Sequence, residues 1–176
     1  GITREQFETS IREGSVDQSV HSVQPRAGQS IFIPSGRLHA IGAGMLIFEI
    51  QQNSDTTYRT FDWNRVGLDG KPRDLHIAES LESIDFDDFE PEMNQPEDQS
   101  LAVCKHFKVE LLKLSPGTTI GNPDPDRFSI LAIVNGKLCS SDKREYSAGD
   151  FLLLPRGQER LKAASETSLL QTTIPR

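Results

Sequence analysis

The stretch Gly28-Gln-Ser-Ile-Phe-Ile-Pro34-Ser-Gly36-Arg-Leu-His39 decides how the rest of this chain is read. Gly28 can take backbone angles closed to other residues, Ser30 to Ile33 is a short apolar run, and Pro34 cannot donate to a sheet ladder. The pattern predicts a strand with a hard stop. Pro34-Ser-Gly36 is turn chemistry, and Arg37 to Ile41 resumes an extended pattern carrying one imidazole, His39. A neutral imidazole held just past a tight turn suits a divalent cation, although a lone histidine is more often simply packed.

Working outward, further strands are predicted near Val20 to Val23, Met45 to Gln51 and Thr57 to Asp62, each bounded by Gly, Pro, Asn or Asp. Upstream, Thr3-Arg-Glu-Gln6 is a capping box with Ile2 and Phe7 at the staple positions, so a helix is expected from about Arg4 to Glu13, ending at Gly14 and burying Phe7 and Ile11. Ile77, Leu81 and Ile84 are spaced for one face of a second helical segment. Downstream, strands are expected over Phe107 to Leu114, Ser129 to Val134, Lys137 to Cys139 and Phe151 to Leu154. Between the halves, Asp85 to Asp98 carries seven carboxylates, two prolines and no basic residue, which predicts a solvated, extended linker.

The two halves share a signature. Gly149-Asp-Phe-Leu-Leu-Leu-Pro155-Arg-Gly157-Gln-Glu-Arg160 repeats the glycine, proline and glycine spacing, with Arg160 where His39 would stand. Arginine can pair with a carboxylate but cannot ligate a metal, so a second site there would be dead.

Composition narrows the function. The chain has 176 residues, 35% hydrophobic content, a formal net charge of -7 and a mean hydropathy of -0.46, which suits a globular protein of one or two domains. No clustered basic stripe for nucleic acid or an anionic membrane is present, and no apolar run approaches the roughly 20 residues of a membrane span. With no signal-peptide pattern at the amino terminus, a cytoplasmic location is expected. Cys104 and Cys139 lack paired spacing and are read as buried free thiols.

The spacing from Gly28 to His39 resembles the second consensus motif of the cupins, with Ala43 in place of its final asparagine. The blocks His39-Ala-Ile-Gly, Glu49-Ile-Gln-Gln-Asn-Ser-Asp-Thr-Thr-Tyr-Arg59 and Gly70-Lys-Pro-Arg-Asp-Leu-His76-Ile resemble more narrowly the short bacterial form of type I mannose-6-phosphate isomerase. That resemblance implies a mainly β fold of two small cupin-like jelly-roll barrels with a few short helices. Residues 1–84 would be the carboxy-terminal part of the catalytic barrel, 85–99 the acidic linker and 100–176 a second, metal-free barrel.

It also implies an isomerase of mannose 6-phosphate and fructose 6-phosphate that uses zinc. In the family the metal is held by a glutamine and a histidine one residue apart, a glutamate, and a late histidine matched by His39. No Gln-x-His pair occurs in this sequence, and the family's amino-terminal portion has no counterpart in it, so three of the four donors are expected to be missing. The chain is therefore read as the carboxy-terminal portion of such an enzyme, inactive by itself, with open barrel edges that invite pairing with a second copy. Arg59 is carried over as the catalytic arginine and Glu49 as a proton carrier, with Gln51, Asn53 and Asp55 as substrate-pocket scaffolding. The competing readings make Glu49 an exposed strand carboxylate, pair Arg59 with Asp55 or Asp62, and use His76 to cap or pack its helix. A non-catalytic cupin-like module binding a sugar or a partner chain is the alternative for the whole.

Overall fold

A computed structural model of the chain describes residues 1–54, 56–63, 65–157 and 160–175. It divides into two units. The first comprises Gly1–Arg26 with Ile33–Glu92, the second Ala27–Phe32 with Met93–Arg176.

The first unit is built on helices. Helix α1, Arg4–Glu13, begins with the capping box that its sequence encodes. The Gln6 amide donates to Thr3 Oγ1 at 3.3 Å, and the Thr3 amide donates to Gln6 Oε1 at 2.8 Å. Gly14, with φ of 71°, ends the helix in the left-handed region that only glycine adopts freely. Phe7 and Ile11 face inward with Val16 and with Leu81 of helix α2, Ile77–Ser83. Ile2, Phe61, Ile77, Ile84 and Phe86 pack around them, and the Phe7 and Phe86 rings meet edge-on at 6.0 Å.

The strands expected in this unit are not formed. Among its described residues the one β pairing is an isolated bridge between Val66 and Pro72. A strand is a property of a pair, and an apolar alternation becomes one only where a neighbour completes the ladder. The alternation survives in the burial from Ile47 to Gln51 and fails at Leu46. Phe48 and Ile50 are half-buried while Ile47, Glu49 and Gln51 are exposed, and Leu46 is 96% exposed.

The second unit is β throughout. It contains β1 (Ser100–Val103), β2 (Lys108–Leu114), β3 (Thr119–Gly121), β4 (Ser129–Asn135), β5 (Lys137–Cys139), β6 (Glu145–Ser147), β7 (Phe151–Leu154), β8 (Arg160–Ala163) and β9 (Thr167–Thr173). A five-stranded sheet has the order β1-β2-β9-β4-β7 and a four-stranded sheet the order β3-β8-β5-β6, with every pairing antiparallel. Ile120, Leu131, Ile133, Leu138, Leu154, Leu161, Ala163 and Leu169, contributed by both sheets, form the buried core. In the register of β2 against β9, Leu112 lies opposite Leu169, and both contribute to that core. The chain is mainly β, as its sequence implies.

The acidic segment is anchored at both ends. Arg37 grips Asp88 with two hydrogen bonds, Nε to Oδ2 at 2.7 Å and Nη2 to Oδ1 at 2.8 Å, and the Asp85 amide donates to the Gly36 carbonyl at 2.9 Å. Within the second unit, Ser30 and Asn94 exchange backbone hydrogen bonds at 3.3 and 2.9 Å. The solvated, extended linker expected of this composition is thus replaced by a tied segment, because Arg37 and Gly36 supply the partners that the acidic run lacks. Cys104 and Cys139 are free thiols, half-buried rather than buried.

Candidate functional site

Arg59 and the block Gly70 to His76 meet in one cleft of the first unit. The cleft has a volume of about 420 Å³ and is lined by Arg59, Asp69, Lys71, Pro72, Arg73, Asp74 and His76. Its frame is local. The Gly67 amide donates to the Lys71 carbonyl at 2.7 Å, the Gly70 amide to the Gly67 carbonyl at 3.0 Å, and the Lys71 amide to Asp69 Oδ1 at 3.1 Å, closing a tight loop between the bridged residues Val66 and Pro72.

Asp62 fixes the other wall. Arg73 Nε donates to Asp62 Oδ2 at 2.7 Å, and its Nη2 donates to Oδ1, a two-pronged pair in which Asp62 is 8% exposed. The Arg73 guanidinium holds the Asp62 carboxyl below its usual range, with smaller contributions from the charges of Arg59 and Arg65. Arg65 in turn lies over the Trp63 ring at 5.7 Å. The Arg59–Asp62 ion pair considered from sequence is therefore not made, because Arg73 takes that carboxylate.

Arg59 is held by its backbone and, at its head, by one long hydrogen bond. Its amide donates to His76 Nδ1 at 3.3 Å, its carbonyl accepts from the His76 amide at 2.8 Å, and its Nη1 reaches the Asp74 carbonyl at 3.4 Å. His76 stands at the N-cap position of α2 without capping it by side chain; its ring braces Arg59 and lies 6.1 Å from the Tyr58 ring.

His39, Glu49, Gln51 and Asn53 lie outside the cleft lining. Glu49, Gln51 and Asn53 are exposed, and Asp55 falls outside the described residues. His39 is exposed and its Nδ1–H donates to the Arg37 carbonyl at 3.0 Å, which leaves Nε2 as the ring's open nitrogen. One such donor does not make a zinc site. A catalytic zinc takes about three protein ligands, and no group of three His, Cys, Asp or Glu able to hold a metal occurs among the described residues. The residues present do not fit the metal by themselves.

Lys71, Asp69 and Asp74 were not singled out from sequence as pocket residues. The signal for them lay in the Gly70-Lys-Pro turn, where a rigid loop displays charges beside a catalytic candidate.

No family model matches the chain. Mannose-6-phosphate isomerase ManA of Bacillus subtilis is 34% identical over 171 residues, covering 91% of this chain and 53% of that protein. This chain is a homologue of the mannose-6-phosphate isomerases. The probable mannose-6-phosphate isomerase GmuF of the same organism is 29% identical over 87% of this chain and 51% of its own length. The chain spans about half the length of these curated relatives. The crystal structure of the mannose 6-phosphate isomerase from B. subtilis superposes with a TM-score of 0.53 at 22% identity, covering 70% of this chain and 42% of that one, a likeness of fold. Among the described residues no helix is long and apolar enough to cross a membrane.

Proposed function

We propose that this chain belongs to the working part of an aldose-ketose isomerase that interconverts mannose 6-phosphate and fructose 6-phosphate. The observation that carries this reading is the placement of Arg59 in a charged cleft, within a chain whose likeness to a mannose-6-phosphate isomerase runs over 91% of its length.

The reaction moves a proton between C1 and C2 of the open-chain sugar and develops negative charge on an enediolate oxygen. Arg59, braced by His76 and permanently charged, offsets that charge. The resemblance also assigns the proton to Glu49 and the substrate pocket to Gln51, Asn53 and Asp55, although Glu49, Gln51 and Asn53 lie outside the cleft that holds Arg59. Zinc dependence belongs to the reading, with His39 as the donor this chain supplies. Residues 1–84 act as part of the catalytic barrel, 85–99 as the connection and 100–176 as a second cupin-like barrel without a metal. A cytoplasmic location and pairing with a second copy along the unladdered backbone of the first unit complete it.

The test is turnover of mannose 6-phosphate with added zinc, run beside total metal analysis and an Arg59→Ala control. Arg59-dependent turnover with about one metal per chain supports the isomerase. Binding of sugar phosphate without turnover would instead make the chain a sugar-binding module.

A further inference from the structure

The asparagines of this chain are Asn53, Asn64, Asn94, Asn122 and Asn135, followed in turn by Ser54, Arg65, Gln95, Pro123 and Gly136. An asparagine's side-chain amide carbon can be attacked by the backbone nitrogen of the next residue, closing a five-membered ring. A side chain on that next residue crowds the approach, glycine brings none, and proline has no N–H to give up. Asn135 is the asparagine followed by glycine.

The fold leaves the reacting atoms of this pair unengaged. Asn135 ends β4 and is exposed, and the register of β4 on β9 slips between Ile133 and Asn135, so the ladder is interrupted just before the turn. Among the described residues, neither the Asn135 side chain nor the Gly136 amide makes a hydrogen bond. By contrast, the Asn94 side chain donates to Ser30 Oγ at 3.0 Å and to the Leu101 carbonyl at 2.7 Å, and that of Asn122 donates to the Leu154 carbonyl at 3.5 Å. Ring closure requires Asn135 to rotate out of the extended region, and an exposed turn opens locally at low cost.

We infer that Asn135-Gly136 is a self-modifying turn that converts to aspartate and isoaspartate in the folded chain. The Gly136 nitrogen bonds to Asn135 Cγ, the bond from Cγ to the side-chain nitrogen breaks, and that nitrogen leaves as ammonia with the proton given up by Gly136. Water then opens the ring. Opening at Cγ gives aspartate, and opening at the backbone carbonyl gives isoaspartate, whose main chain runs through Cβ and Cγ and is one carbon longer. The turn is the crossing from β4 of the five-stranded sheet to β5 of the four-stranded sheet. It has no room for that carbon, since Gly136 has φ of 85° and even an added Cβ there would collide with the Glu166 carbonyl oxygen and Thr167. Isoaspartate therefore loosens the junction of the two sheets, whereas aspartate adds only an exposed charge. Nothing in this depends on the isomerase reading.

The test is to age the full chain at mildly alkaline pH, folded and in urea, and to map its peptides by mass spectrometry with chromatographic separation of the aspartyl and isoaspartyl forms. Asn135 should convert before the other asparagines, yield both products, and react faster as pH rises. In the folded chain its rate should lie within about tenfold of the rate in urea, the cost of opening an exposed turn. Asn135→Gln, which would need a larger ring, should abolish the conversion. In thermal unfolding, aged chain rich in isoaspartate should melt earlier than fresh chain, while Asn135→Asp should melt with the parent. Asn135 left intact in the folded chain while it converts in urea, or faster conversion at Asn53, overturns the site. Aged chain that melts with Asn135→Asp overturns the loosening of the sheet junction.

Discussion

Arg59 and His76 hold each other at two points, the Arg59 amide on the imidazole Nδ1 and the His76 amide on the Arg59 carbonyl. A nitrogen that accepts is not protonated, so in this arrangement the neutral ring carries its hydrogen on Nε2. The side chain proposed for the chemistry is thereby mounted on a residue that the sequence offered as a group capping or packing its helix.

Replacing His76 separates the two bonds. His76→Leu removes the acceptor from a half-buried amide, whereas His76→Asn keeps an oxygen able to accept near the same place. Hydrogen exchange of the Arg59 amide should quicken about tenfold in the leucine variant and markedly less in the asparagine variant. Equal rates in both would show that the ring is not the acceptor in solution.

Acid should loosen the cleft. The Arg73 guanidinium, with Arg59 and Arg65 behind it, lowers the native pKa of Asp62, and Arg37 does the same for Asp88. The unfolded chain therefore takes up the proton first as the pH falls. The stabilisation is complete above the ordinary carboxylate value of about 4 and disappears as pH drops through the lower native values. The stability difference between the parent and Asp62→Asn, measured by urea unfolding, should be largest near neutrality and shrink steadily in acid. A gap that widens on acidification would contradict the pairing.

Two glycines in the second unit give a steric contrast. Both Gly136 and Gly149 have positive φ, 85° and 94°. A Cβ on Gly136 would lie 2.2 Å from the Glu166 carbonyl oxygen and 2.7 Å from Thr167 Cα, while one on Gly149 would meet nothing within 4 Å. Gly149→Ala should cost about 1 kcal/mol of conformational strain. Gly136→Ala adds a collision with backbone and should cost about 3 kcal/mol or more. Paired unfolding curves decide it, and similar midpoints for the two variants would refute the packing of that turn.

Leu131 is 0% exposed at the centre of the core between the two sheets. Leu131→Ala should lose about 2–5 kcal/mol, with the cost set by how far Ile133, Leu154 and Leu169 can close over the gap. A loss below about 1 kcal/mol would mean that the core is not packed as described.

What sequence could reveal depended on the distance over which each feature is encoded. Helix α1 was legible to the residue because a capping box and a terminal glycine are local. Strands β5 and β7 were bounded correctly by the turn residues around them. Strand β9 escaped notice because its inward positions alternate Thr167, Leu169 and Gln171, so polar residues interrupt the apolar period. The short β3, β6 and β8 offered three or four residues each, too few for a period to declare itself. In the first unit Phe48 and Ile50 are half-buried and Glu49 and Gln51 exposed, but the strand expected over Met45 to Gln51 needs a ladder partner that no local pattern encodes. The cleft divided the same way. Arg59 was legible through its motif, whereas the preference of Asp62 for Arg73 depended on a fold-back across eleven residues.

The two buried clusters, one around Phe7, Ile11, Val16 and Leu81 and the other around Leu131, Ile133, Leu138 and Leu169, share no residue. Two cores of such different size need not melt together, and a chain built this way has no single melting temperature in the strict sense. Calorimetry should resolve two heat-absorption steps. Each substitution then reports on the step of the core it touches, and a phosphate ester bound beside Arg59 should raise the temperature of the smaller core's step by mass action.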